Sequence, residues 1–127
     1  MGQALAIGVG GAVGSVLRYW LSSAVYAFAG RGFPYGTLVV NIVGCLAMGI
    51  LFVLFVEQLS EDTLWRAGLL IGVLGGFTTF SAFSIETFNL IEQGEVLKAS
   101  ANAVLSVVLC LAATWLGVVL ARQLSVS

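Results

Sequence analysis

The sequence predicts an all-α integral membrane protein of four transmembrane helices, the third of them broken near residues 75–79. Three observations carry that expectation. The 127 residues are 60% hydrophobic and 9% charged, whereas a soluble domain carries about 25% charged residues. Four apolar runs are long enough to cross a bilayer core of about 30 Å, which takes about 20 residues. Within the third run, a glycine pair is followed, after Phe77, by two adjacent threonines, Thr78 and Thr79, a poor place for a continuous helix.

The first span is expected over about residues 4–29, apolar throughout except for Arg18. The start Met-Gly-Gln-Ala-Leu has no positive n-region and the apolar run behind it is too long for a signal-peptide core, so no cleaved leader is expected. Gly10 and Gly14 stand four residues apart, the spacing that lets two helix backbones approach closely. The surrounding Gly-Val-Gly-Gly-Ala-Val-Gly run is not a nucleotide loop, because its spacing is wrong and no strand precedes it. Arg18 has two readings. An arginine at a helix centre costs about 2.5–3.5 kcal/mol on insertion scales, which marks a functional residue, but a long side chain can also snorkel to the nearer interface.

The second span is expected over about residues 36–56 and contains Asn41 and Cys45. A lone asparagine reads as a packing device between helices, or as two amide donors facing an anion. Cys45, like Cys110 in the fourth span, reads as a small hydrophobe.

The third span, expected over about residues 67–91, holds Gly68, Gly72 and Gly76 at four-residue steps and then Gly75-Gly76-Phe77-Thr78-Thr79-Phe80-Ser81-Ala82-Phe83-Ser84. Irregular backbone at membrane depth is tolerated only where it is buried in protein or lines a wet cavity. Carbonyls freed near Gly75 and Thr78 suit a hard cation, and the amides of the restarted helix suit an anion. The edges of Phe77, Phe80 and Phe83 carry positive charge, and the hydroxyls of Thr79 and Ser81 are donors. Phenylalanines at this spacing also fit a lipid-facing or core stripe. Glu86 is the one acid close to a span interior.

In the fourth span, over about residues 99–121, Asn102, Ser106, Cys110 and Thr114 recur every four residues. On a helix they form one stripe about 18 Å long, either glue between helices or the wall of a polar path.

A single membrane domain over residues 1–127 uses the whole chain. Net charge is −1 with no basic cluster, so no nucleic-acid or anionic-lipid partner is expected. There is no histidine, no CxxC and no carboxylate cluster within a span, which argues against an enzyme. Arg66 and Arg122 fall on one side of the membrane and Arg31 and Lys98 on the other, so the charge rule sets no orientation. The balance fits either a weak bias or a chain that inserts both ways.

The runs Gly36-Thr37-Leu38-Val39-Val40-Asn41 and Gly75-Gly76-Phe77-Thr78-Thr79-Phe80-Ser81-Ala82-Phe83-Ser84-Ile85-Glu86 resemble the Fluc/CrcB family of fluoride channels, and Gly-Gly-Ala-Val-Gly-Ser-Val-Leu-Arg in the first span fits as well. The resemblance implies an antiparallel, dual-topology homodimer in a bacterial inner (plasma) membrane, with two fluoride pores for passive export of cytoplasmic fluoride. It implies a structural Na+ at the dimer interface, held by the backbone carbonyls of Gly75 and Thr78. It places Asn41, Phe80, Phe83, Ser106, Cys110 and Thr114 along the pore, with Thr79 and Ser81 beside them, and Arg18, Glu86 and Asn102 in vestibule or accessory positions. Cys110 stands where a serine is common in the family, and Asn102 where some members have an aromatic. The rival class is a small multidrug-type, proton-coupled exporter, which needs a carboxylate in its first helix where this chain has Arg18.

Overall fold

The computed structural model describes residues 2–58 and 63–126; Met1, Ser127 and the expected connection at residues 59–62 lie outside the described residues. Helix α1 covers Gly2–Ala29 and α2 covers Tyr35–Phe52, followed by wider, π-type turns over Val53–Gln58. The third crossing is made of α3 (Thr63–Arg66), wider turns over Ala67–Val73, α4 (Leu74–Phe77) and α5 (Phe80–Glu92), and α6 covers Val96–Val126. Four stretches are long and apolar enough to cross a membrane: Gly2–Ala29, Tyr35–Phe55, Leu64–Glu92 and Val96–Leu124. No strand occurs among the described residues. The helices outrun the apolar windows at several ends because charged residues such as Lys98 and Arg122 continue a helix even where they interrupt a hydropathy run.

Local chemistry sets the ends. After α5, Gly94 takes φ +80°, its N–H donates to the Ile91 carbonyl at 3.0 Å, and the Glu95 N–H donates to the Leu90 carbonyl at 2.8 Å. That pair of bonds is the Schellman stop, which glycine permits because it has no Cβ to clash at positive φ. A three-residue connection then turns the chain directly into α6.

The spans pack as two close pairs. α1 lies against the first half of the third crossing, and α2 runs along α6. Gly14 shows why the first pair needs small residues: a Cβ there would collide with the Val73 carbonyl, and one on Gly10 with the Gly68 carbonyl. The GxxxG spacing therefore serves a contact within the chain, backbone on backbone. Outward, the spans expose large apolar side chains such as Trp20, Trp115 and Phe28, as expected of surfaces that meet lipid tails or another membrane helix.

Candidate functional site

The third crossing breaks at Thr78 (φ −94°, ψ 154°) and Thr79 (φ −153°, ψ 129°), two extended residues between α4 and α5. Both are β-branched, which favours extended backbone. Gly75 and Gly76, the expected cause of the break, remain helical in α4; Gly76 instead packs closely on Gly11, whose carbonyl oxygen lies 2.6 Å from where a Cβ would be.

A break at this depth leaves backbone groups to be satisfied, and side chains from two other helices do most of the work. The Thr79 N–H, which an unbroken helix would direct at Gly75, donates to Asn41 Oδ1 at 3.1 Å, and Asn41 Nδ2 donates to the Thr79 carbonyl at 3.3 Å. The Gly76 carbonyl accepts from Arg18 Nε at 3.1 Å. Thr78 still closes the last turn, its N–H and its hydroxyl both donating to the Leu74 carbonyl at 2.9 Å. Thr79 Oγ1 caps α5 by accepting from the Ala82 N–H at 3.5 Å, and shares a hydrogen bond with Ser81 Oγ at 2.9 Å. The carbonyls of Gly75 and Thr78 thereby lose the N–H partners that a continuous helix would give them.

Beside the break lies a groove of about 380 Å³. Asn41 and Cys45 on α2, Thr79 at the break, Phe80 and Phe83 on α5, and Ser106 and Cys110 on α6 line it, with Val107 and Leu111 as apolar wall. The Phe80 and Phe83 rings stand 5.2 Å apart and tilted by 42°; Phe83 is half-buried while Phe80 is 77% exposed. The lining carries amide, hydroxyl and thiol groups and ring edges, and no ionisable acid or base apart from the two thiols.

The remaining expected site residues sit around this groove rather than on it. Thr114 lies one turn beyond Cys110 and donates its hydroxyl to the Cys45 carbonyl at 3.2 Å. Ser81 is exposed and bonded to Thr79. Arg18 is spent on the break. Asn102 is 2% exposed and donates to Thr87 Oγ1 at 2.9 Å, and Thr87 in turn donates to the Phe83 carbonyl at 2.7 Å, so Asn102 ties α6 to α5. Glu86 lines a second, more polar cavity of about 370 Å³ with Tyr26, Arg31, Asn89, Glu95 and Lys98. Its Oε2 accepts from Thr37 at 3.0 Å and from Tyr26 at 3.4 Å, while Oε1 is buried with no hydrogen-bond partner. The Arg31 guanidinium stacks 4.5 Å over the Tyr26 ring, holding a positive charge at the same cavity.

Three residues at these sites were not singled out from the sequence: Cys45 on the groove wall, and Thr37 and Tyr26 on Glu86. A signal for two of them was present. Thr37, Asn41 and Cys45 recur every four residues on α2, a stripe of the same period as Asn102, Ser106, Cys110 and Thr114 on α6.

For a hard cation, the groups at the break suit the chemistry: the Gly75 and Thr78 carbonyls are uncharged oxygens left without helical partners, and Gly75 is exposed, with nothing within 4 Å of an added Cβ. No cluster of three or more His, Cys, Asp or Glu exists among the described residues.

Comparison with known proteins adds an independent line. The family described as "CrcB-like protein, Camphor Resistance (CrcB)" matches residues 5–118. A relative from Coxiella burnetii named "Fluoride-specific ion channel FluC" is 56% identical over 121 residues, covering 94% of this chain and 98% of the relative. A protein of the same name from Geobacter sulfurreducens is 53% identical over 120 residues, covering 94% of this chain and 97% of its own. A third, from Methylococcus capsulatus, is 50% identical over 121 residues, and there the match takes in 95% of this chain but 53% of the longer relative. On the family match and on these identities, the chain belongs to the CrcB-like family of membrane proteins.

Proposed function

We propose that the chain is a fluoride-selective channel that lets fluoride leave the cytoplasm down its gradient through the groove beside the broken third span. The observation that carries this reading is the groove's lining: donors of modest strength and aromatic edges, without a lysine or arginine among them. Fluoride is small and tightly hydrated. A path for it must replace water with donors yet bind weakly enough for release, and a fixed cation would trap the ion. Asn41 keeps one Nδ2 proton beyond the one given to Thr79, and the hydroxyl of Ser106, the thiol of Cys110 and the edges of Phe80 and Phe83 complete the set. The relatives' name supports fluoride as the ion. A proton-coupled exporter is not favoured, since the first span carries Arg18 where such coupling needs a carboxylate.

The working unit in this reading is an antiparallel homodimer in a bacterial inner membrane. Balanced loop charges, the exposure of Phe80 and the open face of Gly75 support a second copy covering the break. Gly75 and Thr78 would hold Na+ there through their carbonyls, and the ion, when bound, supplies the positive charge that offsets the carbonyl dipoles of both copies. Arg18 holds the neighbouring Gly76 carbonyl in place.

Release of fluoride, chloride and a lipophilic cation from vesicles containing the purified protein tests the proposal. With a potassium ionophore present to let the counter-ion follow, the channel reading expects fast fluoride release and chloride release near that of protein-free vesicles. Proton-driven cation uptake without fluoride release would favour the exporter instead.

A further inference from the structure

Two thiols face the same groove from different helices. Cys45 on α2 and Cys110 on α6 are both free thiols, both half-buried and both on the groove. The helices that carry them touch at backbone level. Thr114 bonds the Cys45 carbonyl at 3.2 Å, a Cβ on Gly49 would collide with the Thr114 carbonyl, and one on Gly117 with the Leu46 carbonyl. The two sulfurs are thus held by rigid elements rather than by a loop.

We propose that Cys45 and Cys110 form a two-sulfur site for a soft, two-coordinate metal ion of the Cu+ and Ag+ class, and that its occupation closes the groove. Thiolate sulfur selects soft ions. A tetrahedral zinc site needs more ligands than the pair offers, and no cluster of three or more His, Cys, Asp or Glu exists among the described residues. In the binding step both S–H bonds break, two metal–sulfur bonds form and two protons pass to solvent; no electron is transferred. A monovalent ion between two thiolates leaves one net negative charge. An uncharged, donor-lined passage becomes an anionic one that has lost its thiol donors, and in a low-dielectric setting that charge repels an approaching anion strongly. The closure rests on the fluoride-channel reading; the metal site does not.

Purified protein in chloride-free buffer is titrated with silver nitrate while sulfur-to-metal absorption, reactive thiols and released protons are followed. The expected result is one silver ion per chain, loss of both thiols together, two protons released, and binding weakened by about tenfold or more in C45S and in C110S. Two silver ions per chain, or a single-cysteine variant that binds as tightly as the natural chain, would overturn the site. In vesicles supplied with a potassium ionophore, one equivalent of silver should cut fluoride release about tenfold relative to the silver-free rate of the same protein, while C45S stays at its own silver-free rate. Undiminished release with silver bound would overturn the closure. Vesicles that release no fluoride even without silver would remove the channel reading and the closure with it, while the titration still decides the metal site.

Discussion

Asn41 closes both backbone groups of Thr79, accepting the N–H on Oδ1 at 3.1 Å and donating Nδ2 to the carbonyl at 3.3 Å. One side chain on α2 thus does for the broken third span what a neighbouring strand would do for extended backbone, and it does so on the wall of the groove. Replacing it tests both roles. N41A leaves two backbone groups without partners, at about 1–3 kcal/mol for each, so the melting temperature in detergent should fall. N41D retains the acceptor for the Thr79 N–H but loses the donor and brings negative charge to the groove. It should stop fluoride release even where folding survives. Full release from N41D would separate Asn41 from the ion's path.

Asn102 is expected to act through stability. Its bond to Thr87 links α6 to α5, and Thr87 is itself fastened to the Phe83 carbonyl. A double-mutant cycle of N102A and T87V should give a coupling of about 0.6 kcal/mol, as interhelical polar bonds in membranes do, with about 1.7 kcal/mol as the upper end. Additive effects of the two changes would show that the bond contributes nothing.

Much of this arrangement was legible in the sequence because membrane insertion is governed by composition and length, which need no tertiary information. Four apolar runs gave four spans, and glycine with adjacent threonines located the break. The residues that actually turn extended, Thr78 and Thr79, were less clear than the glycines beside them, since Gly76 had a second use that only packing reveals: its lack of a Cβ admits Gly11. The roles of Arg18 and Asn102 were hidden for a related reason. A polar side chain in a span announces that it needs a partner, but the partner is chosen by how helices dock, here the Gly76 carbonyl for Arg18 and Thr87 for Asn102. From the sequence Cys45 reads as a small hydrophobe, and its four-residue offset from Asn41 gains meaning only with α6 opposite.

Two glycines separate packing within the chain from packing between copies. At Gly14, a Cβ would run into the Val73 carbonyl, so G14A should sharply reduce the yield of folded protein. At Gly75, an added Cβ meets nothing within 4 Å in the single chain, so G75A should fold and insert normally. If a second copy covers this face, G75A should shift the monomer–dimer balance towards monomer in detergent. An unchanged balance would place the partner contact elsewhere.

The phenyl edges contribute donors that an aliphatic side chain lacks. F80I and F83I should each slow fluoride release by about tenfold or more, equivalent to about 1.4 kcal/mol, while thermal stability changes less for exposed Phe80 than for half-buried Phe83. Release at the natural rate in both variants would take the rings out of the path.

Passive passage of a lone anion moves charge, and that property tests the central claim most directly. In vesicles loaded with potassium fluoride, release should be slow until a potassium ionophore lets the cation follow, then fast, and it should follow the imposed voltage while ignoring an imposed pH gradient. Fluoride release that proceeds undiminished without the ionophore, or that a proton gradient drives, would contradict an uncharged, donor-lined passage beside the broken span.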